Sequence, residues 1–502
     1  MKSVAWEFLG LCTALCNQSL AFSLSAVATG TFVLVFSIAY VGFNFLITGA
    51  ILAALVRPSL HALSSLRCAV TDHGCCTVQT YVGHHISGAA YNPAVALAML
   101  LNGSLGAGRK DFKTFGCYVL AQMLGGLLGA FLGYMPRTAG IVCPISHDYF
   151  HEGQLLVHEF LWSMAICYVV LTTMYTEATK GKHFFGYCVG YTYVAGALPG
   201  QLSASFNPAV AVNLLIASAI QKPDNDNCAD DYMKYIWIYA VFPFAGALAG
   251  WALHRITDQS DGKLGKFAPY MQELIGSFFL ALVVAMGSLH SVSALATGAI
   301  LSVMVFCGAH VSGGQYNPAV SLGLFIRGAL PLVKMFIFWG VQVGGALLGA
   351  FVAYLLTRYA SSKGSDAIDS GTTPPVPVAT NLESNGRTDI GGALLGEFVA
   401  TFFIVLTQLQ VMTTEKLAEN SYFGLAVGWA VMAATFSTGV WTGGAFNPAL
   451  WTGTNLMYTF HENADPLADF WVYWVRSTVG DRPMLRTHTH SPPPTGYVFT
   501  GC

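Results

Sequence analysis

The chain has 502 residues, of which 54% are hydrophobic and 10% charged, with a net charge of -2. Average soluble domains carry about a quarter charged residues, so an ordinary soluble fold is excluded, and the charge balance offers no surface to nucleic acid. The 53 glycines and 13% aromatics suit helices packed closely in lipid with aromatic ends. The 12 cysteines are scattered, mostly through apolar runs, without a CxxC pair, and read as small buried hydrophobes.

In chain order, "MKSVAWEFLGLCTALC" sets Lys2 before an apolar run, with small residues at Ala26–Ala28 further on. A cleaved leader and a first membrane segment both match this pattern, and so apolar a chain favours the segment. Runs able to span a hydrocarbon core of ~30 Å follow. They lie near Val27–Val56, Phe115–Tyr134, Leu155–Tyr175, Phe184–Leu198 and Tyr235–Leu253. Five more lie near Tyr270–Leu289, Val292–Ala309, Met335–Leu356, Ile390–Val411 and Tyr422–Gly439. The expected fold class is an all-α polytopic membrane protein, integral and multi-pass, in a membrane that the sequence does not specify.

Self-comparison divides the chain in two. "QMLGGLLGAF" (Gln122–Phe131) returns as "QVGGALLGAF" (Gln342–Phe351), and "FFGYCVG" (Phe184–Gly190) as "YFGLAVG" (Tyr422–Gly428). Unit 1 is assigned to 1–254, with an irregular region over 1–84, and a cytoplasmic linker to 255–269. Unit 2 is assigned to 270–480, with a long external loop over 358–390, and 481–502 forms a polar tail where a sixth helix should end.

Each unit carries two Asn-Pro-Ala segments: Asn92-Pro93-Ala94 and Asn207-Pro208-Ala209, then Asn317-Pro318-Ala319 and Asn447-Pro448-Ala449. Asn is a favoured helix cap and Pro is tolerated at the first helical position. A single copy would be only a helix start. Four copies in matched positions, each after a small-residue bend, point to broken helices in an inverted repeat with its site at mid-membrane. The apolar run after each Asn is roughly ten residues, about 15 Å or half a bilayer core. Two such half-helices meeting end to end would aim carboxamide N–H groups and two positive dipole ends at one passage. A small neutral solute could accept those hydrogen bonds, while cations and relayed protons would meet a barrier.

Basic residues at Arg109, Lys110, Lys113, Lys180, Lys182, Arg255, Lys263, Lys266, Arg327 and Lys334 fall on one side if each unit spans six times. That side is read as cytoplasmic.

The segments "GHHISGAAYNPAV", "GAHVSGGQYNPAV" and "GGAFNPAL" resemble the aquaporin (major intrinsic protein) family, as a tandem of two units covering most of the chain. The resemblance implies two six-helix units, each with two re-entrant half-helices, forming a passive channel for water or small uncharged solutes. It also implies self-association, here four pores from two chains. By the same resemblance Glu159, Glu273 and Glu397 brace the loops that carry the half-helices. His85 and His310 fall where the family has a pore-side histidine.

The family's outer constriction usually has an Arg directly after the second Asn-Pro-Ala. Here Val210 and Leu450 stand there. The other filter positions become Gly444, Thr435 and Thr297 in unit 2. In unit 1 they become Ala204 and either Ala195 or Ala197. Small side chains without a fixed cation imply a wider, less polar filter, open to glycerol, urea, ammonia or peroxide.

Two stretches fit this plan badly. Arg57, Arg67, Asp72, His73 and Gln79 make 57–84 a poor second helix, since a charge at mid-membrane costs about 2.5–3.5 kcal/mol on the mildest scale. Val27 stands where Glu273 does, and Glu7 could replace it only if Val27–Val56 were the second helix. At the other end, "DFWVYWVRSTVG" gives way to "DRPMLRTHTHSPPPTGYVFTGC", polar and Pro-rich. Both stretches read as products of a shifted reading frame or exon boundary, and His488 and His490 are no metal site.

The alternative readings are an ion-coupled secondary transporter, which also uses broken helices, and a non-conducting channel relative. No carboxylate lies next to the asparagines to couple an ion. Nothing suggests an enzyme: there is no nucleophile–base set, phosphate loop or ligand cluster, and no cofactor is expected.

Overall fold

A computed structural model describes residues 18–40, 76–105, 111–133, 152–198, 205–221, 233–259, 265–287, 293–357, 390–462 and 473–474. Among them unit 1 contributes α1 (Gln18–Tyr40), α2 (76–87), α3 (Pro93–Asn102), α4 (Phe112–Gly133) and α5 (Glu152–Met174). Then come α6 (Phe185–Ala197), α7 (Pro208–Gln221) and α8 (Ile236–Thr257). Unit 2 contributes α9 (Ala268–Met286), α10 (Ser293–Gly308), α11 (Pro318–Ile326) and α12 (Leu332–Thr357). It continues with α13 (Ile390–Thr413), α14 (Phe423–Thr442) and α15 (Pro448–Glu462). No strand occurs among the described residues, and six of the described helices are long and apolar enough to cross a membrane.

The repeated glycine motif sets how the helices cross. A Cβ added at Gly125 or Gly129 of α4 would lie 2.1 or 2.5 Å from the carbonyl oxygens of Ala28 and Phe32 on α1. In unit 2, Gly345 and Gly349 of α12 approach Leu274 and Phe278 of α9 in the same way, at 2.4 and 2.2 Å. Small residues let two backbones touch, which is how helices associate where lipid is as apolar as the side chains.

A second pair of glycines makes a slot for one tyrosine in each unit. Tyr91 lies against Gly30 and Gly83, and Tyr316 against Gly276 and Gly308. This slot identifies α1 as the counterpart of α9, so the expected span Val27–Val56 is corrected to a helix starting at Gln18. A hydropathy run marks apolar residues, whereas the helix is positioned by where Gly30 must meet Tyr91. Val27, fully buried, therefore does occupy the place of Glu273, and Glu7 lies outside the described residues. The expectation of a poor second helix is also corrected in part. Residues 76–87 are helical and pack in place, with Ser23 Oγ donating to the Ile86 carbonyl at 2.9 Å and the Tyr81 hydroxyl to the His183 carbonyl at 2.6 Å. Residues 57–75, the external loop 358–389 and the tail 481–502 lie outside the described residues.

The half-helices α3 and α11 have the expected length, at 10 and 9 residues, but α7 and α15 are longer, at 14 and 15. Their apolar runs, "PAVAVNLLIASAIQ" and "PALWTGTNLMYTF", meet no Gly–Pro stop, so intrahelical hydrogen bonding continues.

The two units join along one seam, α5, α6 and α8 of unit 1 against α9, α10 and α12 of unit 2. Phe184 stacks on Phe306 at a centroid distance of 4.4 Å. The seam also holds buried polar contacts: Tyr168 donates its hydroxyl proton to Gln272 Oε1, and Gln154 Nε2 donates to the Leu356 carbonyl at 2.5 Å. At one rim, outside the spanning helices, Lys182 pairs with Glu419.

Candidate functional site

All four Asn-Pro-Ala segments start helices in the same manner. Each Asn side-chain oxygen accepts the backbone N–H two residues on, at 2.9 Å for Ala94, 3.0 Å for Ala209, 2.9 Å for Ala319 and 3.0 Å for Ala449. The cap backbone is extended at Asn92 and Asn317, with φ -133° and -151°, and proline follows at the first helical position. Such a cap contributes about 0.5–2 kcal/mol to its helix.

The caps meet in two couples. Asn92 Nδ2 donates to the Phe206 carbonyl at 2.8 Å, and Asn207 Nδ2 returns a bond to the Tyr91 carbonyl at 3.2 Å. In unit 2, Asn317 donates to the Phe446 carbonyl at 2.9 Å and Asn447 to the Tyr316 carbonyl at 2.8 Å. Each carboxamide thus caps its own helix with oxygen and ties down the opposite loop with one N–H. A carboxamide nitrogen has a second N–H, and both asparagines of each couple line a cavity. Two helix amino ends, each equivalent to about half a positive charge, face that cavity.

Three buried carboxylates hold the loops before these asparagines. Glu159 accepts the N–H groups of Ser205 at 3.4 Å and Phe206 at 3.0 Å. Glu273 accepts those of Gln315 and Tyr316 at 2.9 and 2.7 Å, with the Ser312 hydroxyl at 2.6 Å and Gln342 Nε2 at 2.8 Å. Glu397 accepts the Phe446 N–H at 2.9 Å. The residue just before the Asn in each of these loops sits in the left-handed region, at φ 49° for Phe206, 52° for Tyr316 and 46° for Phe446. A bulky residue rarely adopts that conformation, and the carboxylate bonds hold it there.

The two cavities differ in which described residues line them. In unit 2, lining continues past the asparagines to Thr297, Gly444 and Leu450. Thr435 packs beside Gly444, its Cγ2 3.5 Å from where a Cβ would stand. The sequence-derived filter positions of unit 2 therefore lie together. In unit 1 the lining runs the other way, to Gln79, Thr80, Met174 and Val189. Val210, although buried at 5% exposure, is not among it, and neither are Ala195 and Ala197. Ala204 lies outside the described residues. His85 is exposed and His310 half-buried, and neither lines a described cavity.

Sequence reasoning passed over Tyr193. Its hydroxyl accepts a bond from Asn92 Nδ2 at 3.4 Å, and it lines the unit 1 cavity. Aligning Phe184–Gly190 with Tyr422–Gly428 would have set it opposite Val431, which lines the unit 2 cavity. Gln408 was also missed; its Nε2 donates to the Gly314 carbonyl at 2.7 Å. Among the described residues no group of His, Cys, Asp and Glu could hold a metal ion.

Fold and site together define a polytopic helical membrane protein with two pairs of broken helices meeting cap to cap. The family model described as Major intrinsic protein matches the chain twice, over residues 18–254 and 270–482, and the chain belongs to that family. It is 32% identical over 187 residues to the probable aquaporin PIP2-7 of Oryza sativa subsp. japonica, a match over 36% of this chain and 59% of the rice protein. It is 30% identical over 195 residues to Aquaporin Z of Brucella melitensis biotype 1, covering 37% of this chain and 76% of that protein. A solved structure, the aquaglyceroporin from Plasmodium falciparum, is 22% identical and covers 41% of this chain and 88% of its own, with a TM-score of 0.35.

Proposed function

We propose that the chain is a passive transmembrane channel for water and small uncharged solutes, with one pore in each of the units 1–254 and 270–480. The observation that carries this reading is the reciprocal tie between Asn92 and Asn207 and between Asn317 and Asn447, each couple lining a cavity. A neutral solute exchanges hydrogen bonds with the carboxamides, and the paired dipole ends raise a barrier to cations. Glu159, Glu273 and Glu397 act as loop braces, and the relatives named as aquaporins support the channel class.

In unit 2 the outer filter is formed by Thr297, Thr435, Gly444 and Leu450, with Ala204 and Val210 as their unit 1 counterparts. Lacking an arginine, it admits solutes of the glycerol, urea, ammonia or peroxide class. The seam within the chain joins unlike faces, so the remaining faces suit a second copy, giving four pores from two chains. Phe398, Phe402 and Leu406 of α13 and Trp429 and Phe436 of α14 are exposed on one of them.

Separate Asn92→Ala/Asn207→Ala and Asn317→Ala/Asn447→Ala variants in proteoliposome swelling test this. Each pair should remove part of the flux and all four together should remove it, with no dependence on Na⁺ or a proton gradient. Flux that requires an ion gradient would favour a coupled transporter, and wild-type protein without flux a non-conducting relative.

A further inference from the structure

The two cavities are built from matched positions. Leu34 matches Leu280, Cys76 matches Leu301 and Ile166 matches Ile404, all of them lining residues. Val170 stands opposite Gln408, whose amide is tied to the Gly314 carbonyl, and the largest change in bulk among the matched lining pairs is Tyr193 against Val431. Tyr193 stands on α6 one turn beyond Val189, 6% exposed, with its ring 6.0 Å from that of Phe206 and its hydroxyl at Asn92. Past Val431 the unit 2 cavity continues to Thr297, Gly444 and Leu450; among the described residues of unit 1 the lining reaches Tyr193 and does not include Val210, the counterpart of Leu450.

Resting on the channel reading, we propose that Tyr193 sets the size limit of the unit 1 pore and confines it to water-sized solutes. Unit 2, with Val431 in the same place, passes larger neutral solutes of the small-polyol and urea class. A phenol ring reaches much further from its Cα than an isopropyl group. Its hydroxyl already occupies a bonding direction of the Asn92 carboxamide that a solute would use. A water molecule replaces one hydroxyl contact by another at little cost. A polyol must also find room for its carbon chain beside the ring. The chain therefore carries a narrow pore and a wide one in a single polypeptide.

The test uses full-length protein in proteoliposomes, with water and glycerol permeabilities measured by stopped-flow light scattering at equal folded amounts. Wild type should pass both. In Val431→Tyr the glycerol-to-water ratio should fall by about tenfold or more, the loss expected when a steric barrier of about 1.4 kcal/mol or more is added. Adding Tyr193→Val should restore glycerol flux, now through unit 1, and Tyr193→Leu offers the same opening should the valine variant fold poorly. Tyr193→Phe in the Val431→Tyr background should leave glycerol excluded, because the ring remains. Glycerol flux that persists in Val431→Tyr, or that neither Tyr193→Val nor Tyr193→Leu restores, overturns the proposal. So does a wild type that passes water and excludes glycerol; in all these cases the channel reading still stands. A wild type without any flux overturns both.

Discussion

The loop before Asn317 and the loop before Asn92 solve one problem in two ways. Tyr316 is held left-handed, with its N–H on Glu273, while Gln342 Nε2 donates to the same carboxylate. In unit 1 the carboxylate is replaced by Val27. Both loops are left-handed at two matched positions, Gly88 and Ala89 (φ 72° and 55°) against Gly313 and Gly314 (93° and 55°), but Tyr91, unlike Tyr316, is not. The Tyr91 N–H turns back to the Ala89 carbonyl at 3.0 Å, and Gln122, the counterpart of Gln342, donates directly to the Ala90 carbonyl at 2.6 Å. A left-handed bulky residue costs of order 1–3 kcal/mol and persists only where its surroundings fix it. Three loops have a carboxylate to do so. The fourth lacks the carboxylate and does without a left-handed tyrosine, yet Tyr91 still reaches the same slot between two glycines.

Transplanting the unit 1 residue should break this difference most sharply. Glu273→Val strands the N–H groups of Gln315 and Tyr316, at about 1–3 kcal/mol each. The largest loss of thermal stability in detergent is expected here, together with loss of the unit 2 share of water flux. A variant that melts like wild type would show that Glu273 is no brace. Gly276→Ala should rank second. Its Cβ would lie 2.1 Å from Tyr316 Cε1, and overpacking of this kind costs about 1–3 kcal/mol. Gly30→Ala meets Tyr91 at the same 2.1 Å. It should cost less, because the Tyr316 hydroxyl is held twice, by Gln272 at 2.8 Å and by the Met304 carbonyl at 2.7 Å, whereas that of Tyr91 bonds Ser87. Equal melting shifts would contradict that account.

Tyr168→Phe follows. It takes the partner from buried Gln272 Oε1 and should lower stability by about 1–3 kcal/mol. Its effect should fall on unit 2, since Gln272 touches Tyr316, and a loss confined to unit 1 flux would refute the link. The smallest effect belongs to the rim. The hydrogen bond and charge of Lys182 hold the Glu419 carboxyl below the usual carboxylate range. A depressed acid stabilises the fold above its ordinary value and loses that contribution as pH falls through the lowered one. Glu419→Gln should therefore mimic strong acid at this contact and leave melting almost unchanged at neutral pH.

Much of this molecule was legible in the chain itself. The described spans other than the first two lie within a few residues of the apolar runs, because helices in lipid must be apolar throughout their length. The four half-helix starts were legible because capping and proline placement are local rules, satisfied within three residues. The first helix was misplaced by hydropathy, since nothing local distinguishes Val27–Val56 from Gln18–Tyr40. The repeat, which sets Val27 opposite Glu273, and the meeting of Gly30 with Tyr91 across sixty residues do.

By itself the sequence determined the tandem repeat, the capped half-helices, the repeated glycine motif and the lack of an arginine after the second motif of each unit. These depend on periodicity and on neighbours along the chain. Tertiary structure alone decided that each carboxamide grips the opposite loop, that Tyr168 reaches across the seam to Gln272, and that Tyr193 stands at Asn92. Those bonds join residues about a hundred positions apart. Which partners meet at such separations is settled only when whole helices pack, because no local pattern encodes the direction in which a distant side chain will arrive.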